Sequence, residues 1–179
     1  MKISDRIARA ASLTGASLKT LVKVALQSRP VALSPAGDPA RLLIMGNGPS
    51  LRSEIDSHFS ELASSTTMAV NFTANAPEFM ELKPRYYLLA DPHFFSAGND
   101  ANVDRLRSRL REVTWPMTLF TPRGTSIPDL PENVTTEHFN MVGASGFRRL
   151  VRWLYGRRLA MARPRNVLIP APVSYTHLT

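Results

Sequence analysis

Five residues, Gly46-Asn47-Gly48-Pro49-Ser50, concentrate the chemistry of this chain. They follow the apolar run Leu42 to Met45 and precede a helical pattern over 50–63, so they occupy a strand-to-helix turn. Glycines there permit positive φ and close approach of a ligand to the backbone. The N–H groups that open a helix lack intrahelical acceptors and, with the helix dipole, attract anionic groups such as phosphate. Ser50 is placed to cap that helix, and Glu54 follows in its first turn. The stretch is neither a Walker P-loop, which needs Lys-Ser/Thr, nor the GxGxxG dinucleotide fingerprint. Taken alone, it fits a tight turn without a ligand equally well.

Two more polar residues end apolar runs: Asn71 in TTMAVNF and Asp91 after YYLLA. In an open α/β sheet, ligands bind outside the carboxyl ends of the strands, which would put Asn71 and Asp91 on the same edge as Gly46 to Ser50. Asn can both donate to and accept from a ribose or base; Asp can accept from ribose hydroxyls or hold Mg²⁺. Each alone is also an ordinary turn cap. His93 is a single loop histidine, and His58 belongs to the solvated side of a helical pattern. No catalytic base is assigned to His93 or His138. The arginine-rich pattern at 147–158 suits anionic lipid, an acceptor's phosphates, nucleic acid, or merely a solvated face with snorkelling side chains.

The elements needed to position these residues alternate along the chain. Strand-like runs occupy 41–46, 66–72, 85–90 and 115–121, with a weaker one at 134–140, and helical patterns occupy 50–63, 75–82 and 99–113. This order predicts an α/β fold built on a parallel sheet, with crossover helices covering both faces. Residues 3–27 predict an amphipathic helix, since Ile7, Ala11, Thr14, Leu18, Leu21, Val22 and Ala25 recur at steps of three and four. A proline-rich linker follows at 28–40. Asn166 is a candidate N-cap for a later helix.

The chain has 179 residues and is 44% hydrophobic, enough for one domain with a real core. Its net charge of +8 is localised: residues 1–30 carry +5, residues 142–166 carry +7, and the remainder sums to −4. A nucleic-acid groove would spread basic charge through the fold, so that class is set aside. There is no cysteine, which removes disulfides and thiolate metal sites and suits a cytoplasmic protein. The N-terminal apolar residues are interrupted by polar ones, unlike the continuous core of a secretory signal.

The segments LLIMGNGPSLR, MAVNF and YYLLADPHFF resemble the bacterial sialyltransferases that decorate lipooligosaccharide. Those enzymes run a first strand into GNGPSL, a second into Cys-Asn and a third into Asn-Pro. RNVLIPA resembles, more loosely, a helix start later in that family. The Asp-Pro at the third strand end is closer to a related group that includes the archaeal 6-hydroxymethylpterin diphosphokinase and the motility-associated glycosyltransferases of flagellin. The resemblance spans roughly residues 40–95 and 160–172. It implies a Rossmann-like nucleotide-sugar-binding domain over 39–172, behind a basic helix and linker at 1–38. Gly46, Asn47, Gly48, Pro49, Ser50, Asn71, Asp91 and Asn166 would lie around the nucleotide.

The function implied is the donor-binding part of a glycosyltransferase that moves a sugar, CMP-linked by preference, to a glycan or lipid-linked acceptor without a required metal. Residues 3–27 would give peripheral contact with the inner membrane. The alternatives are a pterin or nucleotide pyrophosphokinase with Mg²⁺ held at Asp91, and a non-catalytic nucleotide-binding module. The final VSYTHLT, residues 173–179, resembles a translated sequencing adapter. The expectation is therefore a fragment whose natural sequence departs near Pro172, with the family's general base further downstream.

Overall fold

In the computed structural model, residues 3–31, 41–46, 48, 51–96, 98, 100–162 and 170 are described. The five strand-like runs become β1 (Leu43–Met45), β2 (Thr67–Val70), β3 (Tyr86–Leu88), β4 (Met117–Pro122) and β5 (Val134–Phe139). They form one sheet in the order β1-β2-β3-β4-β5, and every neighbouring pair is parallel. Helices α2 (Leu51–Ser64), α3 (Phe79–Leu82) and α4 (Ala101–Arg111) lie in the crossovers. This is an α/β parallel sheet flanked by helices, of the Rossmann-like kind.

Register explains how the core divides. Met45, Ala69, Tyr87 and Leu119 are partners across four strands and point to one face. There they meet Ile55 of α2, Phe79 and Leu82 of α3, and Val103, Leu106 and Leu110 of α4. The alternate positions Met68, Val70, Tyr86, Leu88 and Phe120 point to the other face, where Phe139, Met141 and Met161 join them. The three crossover helices thus share one face, which corrects the expectation that they cover both. Right-handed crossovers between strands in sequential order return on the same side each time.

The second face leads to a separate layer. After β5 the chain forms α5 (Arg148–Gly156) and returns so that Gly143 and Met161 make a parallel bridge. Val24 of α1 (Ile3–Gln27) packs there with Val142, Leu154 and Ala160. Polar bonds complete the junction. Thr20 Oγ1 donates to the Ser145 carbonyl at 2.7 Å, the Phe147 N–H donates to Ser17 Oγ at 2.9 Å, and Ser28 Oγ donates to the Leu159 carbonyl. Buried Asn140, just after β5, donates to the carbonyls of Arg29 and Arg158, both at 2.8 Å.

Helix α1 has the predicted span, and its apolar pattern faces outward. Its buried residues are Ser17, Thr20 and Val24, while Ile7, Leu18, Leu21 and Val22 of the apolar pattern are exposed. The helical pattern at 75–82 is likewise only partly realised. Asn71–Asn75 is a 3-10 helix, and Ala76, which precedes Pro77, is extended with ψ 140°, as a residue before proline prefers. Within α2, His58 leaves helical geometry (φ −128°, ψ 26°), a break that the apolar spacing does not reveal.

Candidate functional site at the carboxyl edge of the sheet

Because all strands are parallel, their carboxyl ends share one edge, and Gly46, Asn71 and Asp91 follow β1, β2 and β3 there. Adjacent strands are about 4.8 Å apart, so the outer two of these strand ends are separated by roughly 10 Å across the sheet. The strand order does not reverse among the described residues. The residues are gathered by the edge itself rather than by a crevice between oppositely wound halves.

The first turn is compact. Gly48 N–H donates to the Gly46 carbonyl at 2.9 Å, and Leu51 N–H, at the start of α2, donates to the Gly48 carbonyl at 3.0 Å. One opening N–H of α2 is thus already satisfied within the turn. Gly48 does not use the left-handed backbone that the sequence suggested, but a Cβ there would meet nothing within 4 Å. Its openness leaves room for close approach to the backbone. Asn47, Pro49, Ser50 and Asn166 lie outside the described residues.

Asn71 has a strong local reason to be Asn: its φ is +52°, in the left-handed region that Asn tolerates better than most residues. Tyr87 of β3 fixes this turn from beneath. Its hydroxyl donates to the Asn71 carbonyl and accepts from the Ala74 N–H at 2.9 Å. Burial pushes the Tyr87 phenol far above its ordinary value, with the hydrogen bond from Ala74 opposing, so the group stays a neutral donor. Thr73 Oγ1 adds a bond to the Val70 carbonyl at 2.6 Å.

Asp91 caps the 3-10 helix Pro92–Phe95, its Oδ1 accepting from the His93 N–H at 2.9 Å. Arg107 of α4 secures that segment through the Phe94 carbonyl at 2.9 Å and the Ser96 carbonyl at 3.0 Å. The rings of Phe72 and Phe94 meet edge to face at 5.0 Å, and Asn75 Nδ2 donates to the Asn102 carbonyl at 3.0 Å. The two strand-end segments are thus tied to each other and to α4.

The sequence did not disclose three further features of this region. His93 Nε2 lies 2.7 Å from Asp100 Oδ2, while Asp100 Oδ1 accepts from the Asn102 N–H at 2.8 Å as the N-cap of α4. The hydrogen bond to His93, followed by that from Asn102, holds the Asp100 carboxyl below its ordinary value. With Nε2 turned to the carboxylate, neutral His93 carries its lone pair on Nδ1. Arg52, in the first turn of α2, reaches Glu78 Oε1 at 3.6 Å. Asn75 Oδ1 and Glu78 Oε2 are buried acceptors without a hydrogen-bond partner among the described residues. Such orphan acceptors each cost about 1–3 kcal/mol and favour a ligand that brings donors.

Among the described residues no group of three or more His, Cys, Asp and Glu gathers as a metal cluster. A cation at Asp91 would complete its shell with phosphate oxygens and water, an arrangement that suits Mg²⁺ with one or two carboxylates. No family model, curated protein or solved structure matches this chain.

Proposed function

We propose that the chain is the donor-binding part of a sialyltransferase-like glycosyltransferase that takes a nucleotide sugar, CMP-linked by preference, and serves a cell-surface glycan. The observation that carries this reading is the convergence of three consecutive strand ends on one edge: Gly46 with its open turn, Asn71 on a braced left-handed turn, and Asp91 on a tied one. In the proposed reaction the bond from the anomeric carbon to the nucleotide phosphate breaks as the acceptor oxygen bonds to that carbon. A base takes the acceptor's proton, and the nucleotide leaves as an anion. The N–H groups of the Gly46 to Ser50 motif that are not already bonded within the turn would stabilise the departing phosphate, and Asn71 and Asp91 would orient ribose and base. Asn47, Pro49, Ser50 and Asn166 enter this reading through their motifs alone. No residue is assigned as the base.

Asp91 favours a second reading, a pterin or nucleotide pyrophosphokinase, because an exposed strand-end carboxylate suits Mg²⁺ bridging phosphates. A non-catalytic nucleotide-binding module would use the same edge without transfer. Calorimetric titration of the full chain with CMP, UDP and ATP, with and without Mg²⁺, separates these readings. The expected result is metal-independent CMP binding, weakened about tenfold or more by Asn71→Gly, which retains the left-handed backbone while deleting the amide. ATP binding that requires Mg²⁺ and is lost in Asp91→Asn would transfer support to the kinase reading. No nucleotide binding by a folded sample would overturn the proposal.

A further inference from the structure

Helix α1 spends its polar side on its own domain. The side chains it buries are Ser17, Thr20 and Val24, and the hydroxyls of Ser17 and Thr20 bond to the segment before α5, whereas Ile7, Leu18 and Leu26 are 65%, 63% and 73% exposed. Ile3, Leu21 and Val22 extend the same outward stripe. An amphipathic helix that served only the fold would do the reverse, turning its large apolar residues inward. At about 1.5 Å per residue the 25-residue helix is roughly 37 Å long. It presents apolar residues over nearly all of that length.

The surrounding charge selects what can cover this stripe. Arg6, Arg9, Lys19 and Lys23 are on α1 with Asp5 as its sole acidic residue, and α5 adds Arg148, Arg149 and Arg152 with no acid between 142 and 162. Trp153 of α5 is half exposed, and the Arg157 guanidinium stands 5.4 Å from its ring centroid, a pairing suited to a headgroup boundary. A second copy stacked on the same face would bring two basic helices together. No helix among the described residues is long and apolar enough to cross a membrane.

We infer that the outward face of α1, reinforced by the arginines of α5, docks on an anionic lipid bilayer. The helix lies in the plane of the interface with its apolar stripe among the upper acyl chains, and the cations meet lipid phosphates. This inference goes beyond the donor-site reading and stands without it. The two regions are connected nonetheless, because Asn140 anchors the end of α1 at the carboxyl edge of β5, the edge on which the candidate site lies. Four strand spacings of about 4.8 Å put that anchor roughly 19 Å from the end of β1. Docking would hold the edge close to lipid-linked material.

The test is flotation of the full chain with vesicles of phosphatidylglycerol and phosphatidylcholine, against vesicles of phosphatidylcholine alone. The chain is expected to float with the anionic vesicles only, and binding should fall about tenfold or more as salt rises from 0.05 to 0.5 M. Two variants separate the contributions: Ile7→Gln/Leu18→Gln/Leu26→Gln, and Lys19→Gln/Lys23→Gln/Arg148→Gln/Arg149→Gln. Both alter exposed side chains, so both are expected to keep the wild-type melting curve while losing vesicle binding. Equal binding to neutral vesicles, binding unaffected by the triple substitution, or no binding at all would overturn the inference. So would a dimer in sedimentation analysis without lipid that the triple variant abolishes, because the occupant would then be a second copy.

Discussion

Tyr87 is the residue on which the second strand end depends. Its hydroxyl joins the Asn71 carbonyl to the Ala74 N–H inside the core, where no solvent can replace it. Tyr87→Phe keeps the ring contact with Phe79 and deletes only that bridge. The expected cost is about 1–3 kcal/mol, the penalty for leaving buried backbone groups unpaired, and chemical denaturation would measure it. Wild-type stability in the variant would mean that the bridge does not hold the turn. The sequence disclosed Asn71 as a polar end to an apolar run, but neither its left-handed φ nor the tyrosine beneath it. The tyrosine lies in another strand, and hydrophobic periodicity assigns it only a face. His93 and Asp100 were missed for a similar reason. A seven-residue separation through a loop has no periodicity, and only the folded 3-10 helix and the cap of α4 bring the two groups to 2.7 Å.

At the scale of elements, the sequence specified extent better than orientation. The patterns gave the 25-residue span of α1 and the course of α4 because apolar spacing reports helical period directly. Which side of α1 is inward depended on hydroxyl bonds to a segment more than 100 residues away, which no local pattern encodes. Gly146 carries this docking. Its φ is +119°, and a Cβ there would come within 2.2 Å of Ser17 Oγ and 2.7 Å of the Ser17 backbone. Gly146→Ala combines a strained backbone with overpacking, for an expected cost of about 2 kcal/mol or more at this junction. The damage should be local: trypsin should cut α1 at Arg9, Lys19 or Lys23 faster, while the strands behind α2 and α4 keep their protection. Unchanged proteolysis of α1 would show that the close approach is not what holds it.

The whole molecule is polarised in charge and in the quality of its packing. Its mildly acidic part carries the sheet, the continuous core under α2, α3 and α4, and the candidate site; its basic part carries α1 and α5. The uneven charge was legible from residue counts, but the strand order was not, since composition does not encode which strands pair; given that order, the sharing of one face by the crossover helices follows from chain handedness. The packing difference has a measurable consequence. The central strands β2 and β3 are buried on both faces, whereas α1 holds to its neighbours with one buried valine and a few hydroxyl bonds. Opening α1 therefore exposes little apolar surface and should occur well below the free energy of global unfolding. Native-state hydrogen exchange is expected to show α1 amides exchanging about a hundredfold or more faster than those of β3, in a cooperative step that leaves β3 protected. Anionic vesicles should slow exchange in α1 selectively, because they bind only the closed, helical form of that face. Equal protection of α1 and β3 without lipid would instead make the basic layer part of the main cooperative unit, and its small hydroxyl junction stronger than its buried surface implies.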